Sequence, residues 1–571
     1  MKRPFAFTPS TTAASNRESP RRTSQWLATQ IALLLLLLGT FAVSVMQVRG
    51  YESDVVRQSF TLNDHIPVPV TRYTPTHRSV NVIAVLAHGY SANKEIMSGF
   101  AVDLAKQGMT VYTFDFPGHG ASSVPYGGGQ GAAGAVPGLV TTLGEVVDYA
   151  TVHASAPNPK IVLVGYSLGT IAVGEYALQH PQQSDLRATV LVAGILQDRL
   201  TKIVPRNVLV LSGQFDLPGI NDTARHLMAS GCGVALARVA DVYSCNVSSP
   251  YPRSRIVLPG LDHISIVTAA STHAAVLHWL QKTVDPRIGA APVNADARLH
   301  WFLLGVFSAA LAIVPLVSLG AFAVGKLQPE NERLPESETV SQPMWRGIAL
   351  VAGALAAALL VIRLWLPTNF WAPEPLPFGF LNQQVSADVA LFFLIAGAVL
   401  LVARRFVAPA QAKFSATRLR EAAPQALLAV IVAAFLYFTL GKLSSFAWES
   451  LTLTPIRLWH AAVYAAMVWP FFGGVQALLS AFAQKRNGRA FGFDTSVTLL
   501  VLVSLVGAIV LNFERLSYLG ILLPVVGILL VSLLGLNAWI RRIVPNSTVL
   551  ISTLQALVLG WILAATLPFI H

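Results

Sequence analysis

The sequence predicts an α/β domain with a mainly parallel sheet, joined to an all-α transmembrane bundle, about nine spans in total. Three observations predict it. Only 12% of the 571 residues are charged while 54% are hydrophobic, too little charge to cover a soluble globule of this length, so much of the apolar content faces lipid. That content is unevenly spread. Residues 50–298 have ordinary polarity, whereas both flanks carry runs near the ~20 residues that cross a bilayer. Within 50–298, short β-branched runs alternate with helical patterns, as a series of βαβ units requires.

The first apolar run, 26–48, contains IALLLLLLGTFAVSVM and follows a polar tail, 1–25, with Lys2, Arg3, Arg17, Arg21 and Arg22. Its length favours an uncleaved signal anchor over a cleaved signal peptide, cleavage near AVSV being the alternative. Eight further spans are expected at 301–324, 345–366, 387–404, 424–443, 456–480, 495–513, 517–538 and 548–569, which make 299–571 a helical domain. In GKLSSFAWESLTLTPIRLWHAAVY, between the fifth and sixth spans of the chain, an interfacial segment could pass for the start of a span. Eighteen Lys and Arg residues fall in the 1–25 tail and the segments on its side of the membrane. The opposite loops and span ends, apart from 50–298, hold Arg363, Lys442, Arg457 and Arg515. The positive-inside rule therefore makes the tail cytoplasmic and 50–298 extracytoplasmic, as in a bacterial inner or plasma membrane protein. The net charge of +12 is then mainly a topology signal, and no basic block points to nucleic acid.

In 50–298 the strands are expected at 81–89, 109–116, 160–167, 188–194, 207–213 and 254–260. Helices are expected at 94–107, 139–153, 168–180 and 265–282. Continuous Val, Ile and Leu runs imply strands covered on both faces, hence a mainly parallel sheet. Cys232 and Cys245, the only cysteines, both fall in this exported part. There a bridge persists and would stabilise by about 3 kcal/mol; two free thiols are the alternative.

Gly165-Tyr166-Ser167-Leu168-Gly169 fits G-x-S-x-G. Three fixed positions match by accident roughly 0.2 times in such a chain, so the motif needs its setting. Ser167 follows a predicted strand and opens a predicted helix, the strand-to-turn-to-helix context in which flanking glycines let the backbone turn sharply and expose a nucleophilic hydroxyl. A serine needs a base to take its proton, and the base needs a carboxylate to hold its tautomer. Asp216 in LSGQFD and His263 in LPGLDH each follow a strand, at the carboxyl edge where open α/β sheets place their sites. The amides of Leu168 and of Tyr90 in HGYS are the expected oxyanion donors, with His88 and Gly89 shaping that turn. Asp198 also follows a strand and could replace Asp216. Asp262 reads as a solvated turn residue, His119 as structural and His180 as a helix end.

AHGYSANKE, TFDFPGHGASS, GYSLG, SGQFD and GLDH together resemble the α/β-hydrolase superfamily, most closely its monoacylglycerol-lipase-like and serine-aminopeptidase-like branch, over about residues 60–285. The resemblance implies Ser167 as nucleophile, His263 as general base and acid, Asp216 as the orienting acid, and the amides of Tyr90 and Leu168 as the oxyanion hole. Many members carry a helical cap between the strands that correspond to 188–194 and 207–213. Here only ILQDRLTKIVPR intervenes. The site is therefore expected to be open on that side, unless the glycine-rich stretch 126–137, the excursion 231–253 or the membrane domain covers it.

The reading is a membrane-bound serine hydrolase acting on acyl ester, thioester or amide bonds, with the lipid bilayer as partner and lipid or lipid-linked acyl groups as leading substrates. One alternative is a transporter or assembly scaffold whose hydrolase-like domain only binds a partner. A membrane-tethered serine exopeptidase is another, and it would need an acidic group near the site for the substrate amine. Arg363, Lys442, Arg457 and His460 lie at predicted outer span ends and read as interfacial anchors, as does the aromatic loop FWAPEPLPF. Without P-loop, Rossmann or H-E-x-x-H patterns, no cofactor and no metal are expected.

Overall fold

The computed structural model describes residues 20–570 except 64, 128–131, 195, 197–199, 218, 290–297, 328–342, 366–381, 408–415, 483–486, 512–518 and 545–546. Asp198, the loop FWAPEPLPF and part of the glycine-rich stretch lie outside the described residues, as does the side chain of Arg363.

The sheet has nine strands in the order β1-β2-β4-β3-β5-β6-β7-β9-β8: β1 (Val55–Leu62), β2 (Val68–Pro75), β3 (Val82–Ala87), β4 (Thr110–Phe114), β5 (Lys160–Tyr166), β6 (Leu186–Val192), β7 (Val208–Phe215), β8 (Val242–Cys245) and β9 (Arg253–Asp262). Six strands, from β4 through β9, run parallel. The antiparallel strands β1 and β2 continue one edge, and β8 closes the other. Alternation explains the layers. Ile83, Val85 and Ala87 of β3 enter one core with α3 (Ala132–Val152), α4 (Leu168–Gln179) and α5 (Ile220–Cys232). Val82, Ala84 and Leu86 enter the other, with α2 (Ser98–Lys106) and α6 (Ala270–Thr283). Successive side chains point to opposite faces, so a strand apolar at every position must be covered twice. Cys232 and Cys245 are at disulfide distance with Cα atoms 6.0 Å apart, tying the end of α5 to the edge strand β8.

The helical region comprises α1 (Pro20–Gly50), α7 (Arg298–Leu327), α8 (Met344–Trp365), α9 (Gln384–Val407), α10 (Ala416–Leu436), α11 (Pro455–Phe482), α12 (Asn487–Leu511), α13 (Leu519–Ile543) and α14 (Thr548–Thr566). Eight of the described helices are long and apolar enough to cross a membrane. The remaining expected span, 517–538, falls on α13 apart from 517–518, which lie outside the described residues. Helix α10 continues through a π turn, Tyr437–Gly441, to Ser444. Residues 445–454 then form a non-helical loop before Pro455 opens α11, so the connection that could imitate a span start belongs to a loop that meets the sheet domain.

Candidate active site

The turn between β5 and α4 carries Ser167 at φ 49° and ψ −115°, a left-handed backbone that non-glycine residues adopt only where the surroundings hold them. Two glycines make it possible. A Cβ at Gly165 would sit 2.5 Å from the Gly169 carbonyl oxygen, and one at Gly169 would overlap the Ala87 carbonyl. The Ser167 amide donates to the Val192 carbonyl at 2.9 Å, so the turn is also tied to β6.

His263 follows β9. Gly213 lacks a side chain where Leu261 passes, and there the β7–β9 register shifts, which lets the end of β9 lie over the end of β7. Asp262 accepts from the Ile264 amide (3.0 Å) and the Ser265 amide (2.7 Å), holding the tight turn that presents His263. The Tyr166 hydroxyl donates to the His263 carbonyl at 2.8 Å. Burial pushes the Tyr166 phenol up, with further contributions from Asp216, Asp262 and Glu449, so it stays a donor at neutral pH.

The three sequence-predicted side chains come together. His263 Nε2 lies 3.0 Å from Ser167 Oγ, and His263 Nδ1 lies 2.6 Å from Asp216 Oδ1. The Asp216 side chain is fully buried, and its carboxylate accepts from the amides of Leu217 (2.8 Å) and Gly213 (3.2 Å). An acceptor-only carboxylate on Nδ1 requires an N–H there and leaves the Nε2 lone pair facing the serine hydroxyl. That chain of bonds can pull a proton from Oγ and return it to a leaving group.

Leu168 is the first residue of α4, so helical geometry leaves its amide without an intrahelical acceptor. Tyr90 lies in the turn after β3. His88, fully buried, accepts from the Phe116 amide at Nε2 (3.1 Å) and therefore donates from Nδ1 to the Gly89 carbonyl (2.7 Å). Burial lowers its pKa to about 4, against the opposing charge of Asp115, so the imidazole that braces this turn is neutral. The next loop is braced by Asp115, which accepts from Lys94 Nζ (2.6 Å) and from the amides of Lys94 (2.8 Å) and Ala121 (3.0 Å). Gly120, at φ +50°, leaves no room for a side chain beside that carboxylate.

Residues of the helical region reach both loops, and sequence reasoning missed them. Asn93 Nδ2 donates to Glu449 Oε1 (2.7 Å) and the Ser450 carbonyl (3.1 Å), while its Oδ1 accepts from the Ser450 amide (3.1 Å). Ser98 Oγ donates to the Ala447 carbonyl at 2.5 Å. Arg457, expected to reach lipid headgroups, is instead 1% exposed. Its guanidinium donates to the carbonyls of Gly118 (2.8 Å), Gly120 (3.0 Å), Ala564 (2.6 Å) and Leu567 (3.0 Å). His460 is also buried, its Nε2 2.9 Å from Asn382 Oδ1. Burial pushes the Glu449 carboxyl well up, reinforced by Glu95 and Asp115. No motif spacing signals partners 356 residues apart. Among the described residues there is no cluster of metal-ligating side chains.

This strand order, with a serine on the turn between β5 and its following helix, defines an α/β-hydrolase fold. Residues 78–216 match the family described as "Serine aminopeptidase, S33", a stretch that includes Ser167 and Asp216. No curated protein matches the chain. Similar solved structures include a cold-adapted esterase from an Arctic intertidal metagenomic library, 18% identical, covering 41% of this chain and 95% of its own, with a TM-score of 0.31. A CIB-like hydrolase from Thermoplasma acidophilum is 15% identical, covering 45% of this chain and 99% of its own, with a TM-score of 0.29.

Proposed function

We propose that the protein is a membrane-bound serine hydrolase in which Ser167 is the nucleophile, His263 the general base and acid, and Asp216 the orienting acid. The observation that carries this reading is the continuous chain from Ser167 Oγ through the His263 imidazole to the buried Asp216 carboxylate. In the reaction, Oγ attacks the acyl carbon while His263 Nε2 takes its proton. The carbonyl oxygen becomes an oxyanion facing the amides of Tyr90 and Leu168. Collapse expels the alcohol, thiol or amine, which receives the proton from His263, and leaves an ester on Ser167. Water, deprotonated by His263, then attacks that ester, and the acid departs as Oγ regains its proton.

The substrate class follows from location. With the sheet domain joined to helices apolar enough to span a bilayer, acyl groups of lipids or lipid-linked molecules on the outer face are the leading candidates. The orientation is argued from the distribution of Lys and Arg. We expect Ser167→Ala to abolish hydrolysis of p-nitrophenyl butyrate and covalent labelling by a fluorophosphonate in the purified full-length protein. Wild-type hydrolysis by that variant would sink the mechanism, and a native protein inert to the fluorophosphonate would favour the scaffold reading.

A further inference from the structure

The turn that carries the Tyr90 amide is held at two points. On the sheet side the grip is His88, through the Gly89 carbonyl and the Phe116 amide. At the other end the grip is Asn93, 1% exposed, and there the partners belong to the helical region. Between the two lies Ser91 at φ 58°, a left-handed residue without glycine's freedom, which persists only while its surroundings restrain it.

We propose that the helical bundle is part of the active centre, with Asn93 as the positioning residue through which loop 445–454 fixes the oxyanion turn. Its two amide hydrogens go to Glu449 Oε1 and the Ser450 carbonyl, and its oxygen takes the Ser450 amide. The same oxygen also accepts from the Glu95 amide at 3.3 Å, opening the short helical turn Lys94–Met97. All four hydrogen-bonding positions of the side chain are used, and three of them cross to the bundle. Arg457 does the same for the neighbouring loop, joining Gly118 and Gly120 to the carbonyls of 564–567. The bracing from the bundle thus falls on the loops that follow β3 and β4, through Asn93, Gly118 and Gly120. An oxyanion donor works only within a narrow distance range. A misplacement of about 1 Å costs on the order of 100-fold in rate.

This inference rests on the reading of Ser167 as nucleophile, and its test keeps the two apart. Full-length protein in detergent carries Asn93→Ala, Glu449→Ala or Glu449→Gln, assayed for p-nitrophenyl butyrate turnover and for both the rate and the endpoint of fluorophosphonate labelling. For Asn93→Ala the expected result is a kcat and a labelling rate lowered together by about 10- to 100-fold. KM stays within about threefold, since the turn acts on the transition state rather than on the ground state. The labelling endpoint stays unchanged, whereas a merely structural role would lower the endpoint and spare the rate per competent molecule. Glu449→Ala gives a smaller loss in the same direction, and Glu449→Gln, whose carbonyl still accepts from Asn93, restores it. The Asn93→Ala, Glu449→Ala double variant is no slower than Asn93→Ala alone. Wild-type labelling rates in Asn93→Ala, or losses that add fully in the double variant, would overturn the proposal. Should Asn93→Ala not fold, the Glu449→Ala and Glu449→Gln pair decides it, and equal wild-type rates in both overturn it. An active Ser167→Ala variant would instead remove the reading beneath it.

Discussion

His88 and His119 are buried side by side, their ring centroids 5.3 Å apart, and each is bonded to a backbone carbonyl. Burial holds His88 at about 4 and His119 at about 3, both below their ordinary value of 6.5. In the unfolded chain both take up protons near pH 6.5, whereas in the folded protein they do so only at those lower values. Between these limits the unfolded state binds more protons. Their contribution is therefore fully present above pH 6.5 and is lost as pH falls toward 4 and then 3, at up to about 1.4 kcal/mol per pH unit for each. Melting temperature is expected to drop through that window, and His119→Gln to reduce the slope. An unchanged slope would show that the ring is not neutral in the fold. At this scale Ser167, Asp216 and His263 were legible because each ends a strand in a short local pattern, and a strand end has one direction to project. Asn93, Glu449 and Arg457 were not, since their roles exist only once remote segments meet. Arg457 near a span end looks like any headgroup anchor until residues 564–567 offer it carbonyls.

Among elements, the parallel strands and their helices announced themselves through unbroken apolar runs, and the predicted strands at 81–89, 109–116, 160–167, 188–194, 207–213 and 254–260 all coincide with sheet strands. The edges were harder. Strand β1 buries only its ends, in VVRQSFTL. Strand β8 is four residues long with no buried position. Helix α5, rich in polar residues, carried too little apolar signal to stand out from the excursion around the cysteines. The turn from β5 into α4 is the most constrained junction. Because a methyl group at 169 would meet the Ala87 backbone, which cannot swing aside as a side chain can, Gly169→Ala is expected to destabilise by roughly 1–3 kcal/mol. It should also slow fluorophosphonate labelling as the strand and helix separate. A variant with unchanged melting temperature and labelling would mean that the strand and helix are not packed this tightly.

For the whole molecule, the helical half was visible as composition and length, while its purpose was not. The charge asymmetry predicts that the sheet domain faces outward. In intact cells, after mild reduction, a membrane-impermeant maleimide is expected to label Cys232 and Cys245 without permeabilisation; labelling only in lysed cells would invert the arrangement. The union of the two halves also has a temporal side. Residue 118 and the Arg457 that grips it are 339 positions apart, and that guanidinium is shared with carbonyls another hundred residues on, at the end of α14. A ribosome therefore finishes the entire sheet long before the clasp around its reactive rim can shut. On the reading proposed for Ser167, the nucleophile is synthesised well before the carbonyls of 564–567 that complete the clasp, so the frame around it is finished only once those residues are made.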